Sequence, residues 1–257
     1  MKIEFIHTSV GYGTLTILED INIMVEDCES VCLLGPNGIG KTTLFKSLLG
    51  YLPLLGGDIQ IDGKSIKKMS SRSIANCFAY VPQAKNYSYQ FSVEEIVLMG
   101  RSLYINKFSS PSKQDYEIAK KSLDALGLES MMQKKYSELS GGEQQIVLLA
   151  RALAQEAEYI IMDEPASNLD FANQRKLLDI INHLRSLNKG VFMASHMPDH
   201  AFACCNKALL VRRDKRYYYG NVDDVVNSQN LSEAYGVKLQ VLTTHIGDTM
   251  IKTCSLI

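Results

Sequence analysis

Nothing in the sequence approaches the roughly 18 consecutive apolar residues that a membrane-crossing helix needs. The strongest apolar run, Ile146 to Ala154, is broken by Arg151, which argues against a spanning segment. Charge of one sign is also missing. Twenty-seven Lys and Arg stand against 28 Asp and Glu, a formal net charge of -1, so the global basic field of a nucleic-acid binder is absent. The six cysteines (Cys28, Cys32, Cys77, Cys204, Cys205, Cys254) form no C-x-x-C pair, and the adjacent Cys204 and Cys205 do not make a metal-site pattern. They are expected to be reduced, mostly buried thiols of a cytosolic protein. The start shows strand-like alternation, Ile3 and Phe5 against Lys2 and Glu4, where a signal peptide would have a charged cap and an apolar core, so no such peptide is expected. Repeats and low-complexity tracts are lacking as well. The 257 residues suffice for one large α/β domain or a domain with a smaller lobe.

What the chain does have is Gly35-Pro36-Asn37-Gly38-Ile39-Gly40-Lys41-Thr42-Thr43, a match to G-x-x-x-x-G-K-[ST]. Before it, Val31 to Leu34 reads as a short buried strand. After it, Lys41 to Leu49 reads as a helix stopped by Gly50, which is the context that a phosphate loop requires. Glycines let backbone N–H groups curl around an anion. Lys41 would reach the β/γ-phosphates and Thr42 would offer its hydroxyl to Mg²⁺, with the helix start adding its positive end. Such a pattern arises by accident in on the order of one chain in a hundred of this length, so the rest of the chain has to decide.

Residues 1–34 read as an antiparallel β piece, with segments near Ile3–Ile6 and Ile21–Val25 joined through Gly11-Tyr12-Gly13. Tyr12 could offer its ring to a purine or pack on the first sheet; the residue alone leaves both open. Strands are predicted over Ile59–Ile61 and Phe78–Val81, the second running into Pro82-Gln83. Residues 84–138 change character. After the Tyr87, Tyr89, Phe91 connector, Ser92-Val93-Glu94-Glu95 is a capping box opening a helix to Gly100, and Ser112 with Asp115 caps a helix stopped by Gly127. This reads as a helical lobe inserted into an α/β core. Leu139-Ser140-Gly141-Gly142-Glu143 then leads into a helix-like run to Glu156, and free backbone donors at that start would form a second anion site. Tyr159–Met162 is a buried-strand run ending in Asp163-Glu164, where one carboxylate can hold Mg²⁺ and the next can polarise a water. Asn168-Leu169-Asp170 leads into a helix through Leu187. Val191–Ser195 is a further buried strand ending at His196, the third polar strand end after Gln83 and Asp163-Glu164, where open α/β sheets place ligands. A hairpin is predicted at Asp214-Lys215, followed by short helical and strand pieces to Ile257.

In this order the motifs resemble the nucleotide-binding subunit of an ATP-binding cassette (ABC) transporter over nearly the whole chain. The resemblance assigns an aromatic A-loop at Tyr12, the phosphate loop at Gly35–Thr43, a Q-loop at Gln83, the family-specific signature at Leu139–Glu143, a D-loop at Ser167–Asp170 and a switch histidine at His196. It implies an α/β fold: a P-loop NTPase core (ABC nucleotide-binding domain) with an N-terminal antiparallel β subdomain and an inserted α-helical subdomain. In one ABC ATPase domain, about 1–83 and 158–220 would form the core, about 84–157 the helical part and about 221–257 a C-terminal extension. ATP and Mg²⁺ are the implied cofactors. Glu164 would be the general base, with Lys41, His196 and Gln83 completing the catalytic set. Thr42, Gln83 and Asp163 would hold the metal. Tyr12, Gly35, Pro36, Asn37, Gly38, Ile39, Gly40, Lys41, Thr42 and Thr43 would bind nucleotide from one copy. Ser140, Gly141, Gly142, Glu143 and Asp170 would face it from a second copy stacked head to tail.

Ser92 to Arg101, the Phe108–Asp115 loop and Asn230 to Val237 are similar to importer ATPases for iron-chelate, cobalamin and molybdate-type substrates. Partners implied are transmembrane permease subunits and, indirectly, an extracytoplasmic substrate-binding protein, without nucleic acid, at the cytoplasmic face of the membrane. Two departures stand out: Asn168 where the D-loop usually has Ala, and Ile146 where many members carry Arg. The competing reading is a soluble ABC ATPase of iron–sulfur cluster assembly. A GTPase is disfavoured because Asn188-Lys189-Gly190-Val191 lacks the Asp of an N-K-x-D motif.

Overall fold

The computed structural model describes residues 1–82, 90–106, 109–167, 169–247 and 249–257. It resolves into two compact units, one of Met1–Met69 with Gly190–Ile257 and one of Ser70–Lys189.

The first unit begins with the hairpin β1 (Ile3–Tyr12) and β2 (Leu15–Val25), paired antiparallel. Alternation buries Ile3, Phe5, Ile21, Ile23 and Val25 on one face, as a half-buried strand requires. β3 (Ser30–Leu34) is buried at every residue, and α1 (Lys41–Leu48) follows the loop. β4 (Gly56–Ile61) pairs with β1, and β5 (Lys64–Ser65) pairs with β4, completing the sheet order β2-β1-β4-β5.

The second unit runs through α2 (Ser71–Cys77), β6 (Phe78–Val81), α3 (Val93–Leu98), α4 (Lys113–Asp124), α5 (Gly141–Ala154), β7 (Tyr159–Asp163) and α6 (Phe171–Ser186). β6 and β7 are parallel, with Phe78 edge-on to Tyr159 at 6.5 Å between ring centroids. Ser92 and Ser112 form the predicted capping boxes with Glu95 and Asp115. The helix predicted to reach Gly100 closes at Leu98 and tightens into a 3₁₀ turn over Met99–Leu103. Gly100 lies against the Arg151 carbonyl, so any side chain there would hold the turn away from α5. Next to it the buried guanidinium of Arg101 bonds Asp115 at 3.2 Å, Glu156 at 2.6 Å and the Ala154 carbonyl at 2.8 Å. These bonds join α4 to the end of α5 and give the buried guanidinium carboxylate partners, as a buried ion requires.

The chain returns to the first unit with β8 (Gly190–Ser195), α7 (Pro198–Cys204), β9 (Lys207–Val211) and β10 (Tyr217–Asn221). β3 lies between β8 and β9, parallel to both, and β10 turns back antiparallel on β9. Phe192 packs edge-on to Phe45 and Phe5, at 5.2 Å and 6.4 Å. After α8 (Val222–Val225) and α9 (Ser228–Tyr235), the chain ends in a hairpin of two eight-residue strands, β11 (Leu239–Ile246) and β12 (Thr249–Leu256). These are longer than the short pieces predicted. The architecture is mixed α/β with an antiparallel β portion and a helical portion, as the sequence implied. All six cysteines are free, and among the described residues no helix is long and apolar enough to cross a membrane.

Candidate functional site

In the first unit the phosphate-loop sequence joins a buried strand to a helix. Gly35 has φ 150° and Gly40 φ 111°, backbone conformations that favour glycine. A Cβ on Gly35 would sit 2.7 Å from the Val211 carbonyl oxygen, and one on Gly40 2.5 Å from Cγ2 of Ile17. The loop is thus drawn tight between β9 and β2. Pro36 and Ile39 are half-buried and Asn37 and Gly38 exposed, while Thr42 is half-buried and Thr43 buried. The Lys41 ammonium donates to the Gly35 carbonyl at 2.9 Å and the Pro36 carbonyl at 3.2 Å, spanning the loop from inside. Glycines in left-handed or extended positive-φ conformations, with a lysine held across the loop before a helix start, are the parts from which a phosphate cradle is built.

Tyr12 stands beside the tip of the β1–β2 hairpin, paired with Leu15 and 47% exposed, so its ring is accessible. In the parallel β3–β8 pair Leu34 faces Ser195. Gly35 and His196 therefore leave the same edge of neighbouring strands. His196 is half-buried, and its carbonyl accepts a hydrogen bond from Tyr235 at 3.0 Å.

In the second unit Val81 faces Met162 across parallel strands, so Asp163 closes β7 where Pro82 follows β6. Asp163 is buried, with the Tyr80 hydroxyl 3.4 Å from Oδ2. The Asp163 carboxylate and the Thr42 hydroxyl, each at an element end, are hard oxygen donors of the kind Mg²⁺ takes. Glu164 is half-buried with φ 48°, a strained setting for a residue with a side chain. Its carbonyl accepts from both the N–H and the hydroxyl of Ser167, at 3.1 Å and 2.7 Å.

Ser140 caps α5. Its oxygen accepts from the Glu143 N–H at 3.3 Å, while the Glu143 carboxylate accepts from the Ser140 N–H at 2.7 Å and hydroxyl at 2.8 Å. The Ser140 hydroxyl, then its N–H, hold the Glu143 carboxyl below the ordinary carboxylate value. This capping box engages the N–H groups of Ser140 and Glu143, so the expected anion site at this helix start would rest on the N–H groups of Gly141 and Gly142. The spacing that revealed the Ser92 and Ser112 caps could have revealed this one.

Asp170 caps α6 by accepting from the Asn173 N–H at 2.8 Å, and the Asn173 side-chain amide returns to its other oxygen at 3.1 Å. That amide also lies over Gly142. A Cβ there would sit 2.6 Å from Asn173 Oδ1 and 2.7 Å from Nδ2. Asn173 thus links the start of α5 to the cap of α6, and Gln174 Nε2 donates to the Leu169 carbonyl at 3.0 Å. Sequence reasoning missed both residues, which carry no motif of their own. Gln83 and Asn168 lie outside the described residues.

The profile of a protein family described as ABC transporter matches residues 18–167. An uncharacterised ABC transporter ATP-binding protein of Haemophilus influenzae is 36% identical over 98% of this chain and 96% of its own length. The manganese transport system ATP-binding protein MntB of Bacillus subtilis is 34% identical over 93% of this chain and 94% of its own. Among solved structures, a chain of a metal-chelate type ABC transporter in an inward-facing conformation superposes with a TM-score of 0.89 at 29% identity, covering 99% of this chain and 97% of that one.

Proposed function

Because the chain belongs to the ABC transporter family as an ATP-binding subunit, we propose that it is the hydrolytic motor of a membrane importer for a metal, carried as a chelate or as a molybdate-type oxyanion. The observation that carries the ATPase reading is the tightened loop at Gly35–Gly40 with Lys41 drawn across it. Lys41 and the loop amides hold the β- and γ-phosphates, and Tyr12 stacks on the base. Thr42, Asp163 and Gln83 would hold Mg²⁺, which when bound neutralises charge on the phosphate oxygens. Glu164 takes a proton from the water that attacks the γ-phosphorus. The bond from that phosphorus to the β–γ bridging oxygen breaks, ADP leaves, and His196 stabilises the charge on the transferred group. Ser140 and Gly142 of a second copy close over the same γ-phosphate, so that ATP completes the interface between copies.

The importer reading is supported by the 99% coverage shared with the metal-chelate transporter; the relatives, named for transport, do not favour the soluble iron–sulfur assembly ATPase. Permease docking is supported by a hollow of about 330 Å³ in the second unit, lined by Pro82, Phe91, Ile96, Met99, Tyr136, Leu148 and Arg151. Phe91 and Met99 are exposed at its rim and would receive an apolar cytoplasmic segment of the permease. Gentle solubilisation of membranes holding the tagged chain, followed by mass spectrometry, tests the assignment. A polytopic permease in comparable amount is the expected result. Recovery with cytosolic scaffold proteins alone would replace the importer reading by the assembly reading.

A further inference from the structure

Residues 195–200 are held by the C-terminal segment at two points. Tyr235, the last residue of α9, donates its hydroxyl to the His196 carbonyl at 3.0 Å. Three residues beyond His196, the Asp199 carboxylate accepts from the Cys254 N–H at 2.7 Å and the Thr253 hydroxyl at 3.1 Å, both on β12. Between these anchors Ser195 Oγ accepts from the Met197 N–H at 3.0 Å and pairs with Nδ1 of buried His200 at 2.9 Å. The anchoring helix is itself fixed. Glu233 accepts from Arg212 and from the Tyr218 hydroxyl, each at 2.7 Å, and Ser232 Oγ accepts from the Leu239 N–H at 3.0 Å. Every one of these contacts lies within one compact unit.

A carbonyl held by a fixed donor has its peptide plane set, and the plane limits the directions available to the side chain beside it. We infer that Tyr235 is a positioning residue for His196, through which the C-terminal segment sets the geometry of hydrolysis. Residues 228–256 fall outside the stretch matched by the family profile, 18–167. The inference rests on the proposed contact of His196 with the γ-phosphate. The hydroxyl touches no nucleotide in this scheme, so its loss would leave ATP binding intact and lower turnover alone.

The test compares Tyr235→Phe, His196→Ala and the double variant in the full-length chain, measuring kcat, KM and the Kd for ATP. Phenylalanine keeps the ring and removes only the hydroxyl. One neutral hydrogen bond corresponds to a fall in kcat of about 3- to 10-fold, with Kd unchanged and no further loss once His196 is alanine. Equal losses in both backgrounds, or an unchanged kcat, would overturn the inference. A His196→Ala variant with normal turnover would instead remove the role proposed for His196 itself. Hydrogen exchange supplies a reading independent of turnover: Tyr235→Phe should speed exchange in residues 195–200 while leaving Lys41–Leu48 protected. Unchanged exchange in 195–200 would show that the hydroxyl does not hold the turn.

Discussion

Glu164 illustrates how much a single residue can carry. It follows a fully buried strand, takes a left-handed φ of 48° and has its carbonyl tied down by Ser167, so its carboxylate starts from a fixed base. Glu164→Gln should cut turnover by about 10²–10⁴ while ATP still binds, measured as phosphate release beside equilibrium binding; near-normal release would take the base role from it. Gly142 makes a different demand, since the space a Cβ would need is filled by the Asn173 amide. Gly142→Ala should push that amide off Asp170 at a cost of about 1 kcal/mol, read as a fall in thermal midpoint of about 2–4 °C. Adding Asn173→Gly should restore the room without restoring the bond. Motif spacing pointed to Gly142 in the sequence, but its neighbour could not be read there. Asn173 reaches Gly142 only because two helices start side by side, a relation that no local pattern encodes.

Among the elements, strands buried on both faces were the easiest to read, because an unbroken apolar run such as Tyr159–Met162 has few other homes. Helix starts were legible where a serine preceded an acid by three, and the cap at Ser140 went unread although it has that spacing. The 3₁₀ turn after Leu98 was not legible, since it depends on the approach of α5 to Gly100. The cap of α4 gives a prediction with a sign. The Ser112 hydroxyl and N–H, with Arg101, hold the Asp115 carboxyl below its ordinary 3.8. A depressed folded value contributes stability above the unfolded value and loses it as pH falls through the folded one. Asp115→Asn should therefore lower the urea midpoint at pH 7, by about 1–3 kcal/mol in free energy, and the two proteins should converge as pH falls from 7 through the depressed folded value. A constant difference across that range would mean that charge is not what Asp115 contributes.

At the scale of the whole molecule the sequence pointed to the fold and the family, because the motif order spans most of the chain. It could not say how the residues after 220 are used, since they match no motif that names a role. Assembly is the prediction that belongs here. Ser140→Arg, placing a bulky cation at the start of α5, should leave ATP binding to a single copy intact and abolish ATP-driven dimerisation, measured by sedimentation with Glu164→Gln present to block turnover. Dimers that persist would reject the head-to-tail arrangement. The capping box at that same helix start bears on the energetics of closure. Ser140 is already bonded to Glu143 in a single copy, so in the head-to-tail arrangement its hydroxyl would have to leave the carboxylate before donating to a γ-phosphate. Closure over ATP would then exchange one hydrogen bond for another at this serine, and its net gain there would be small.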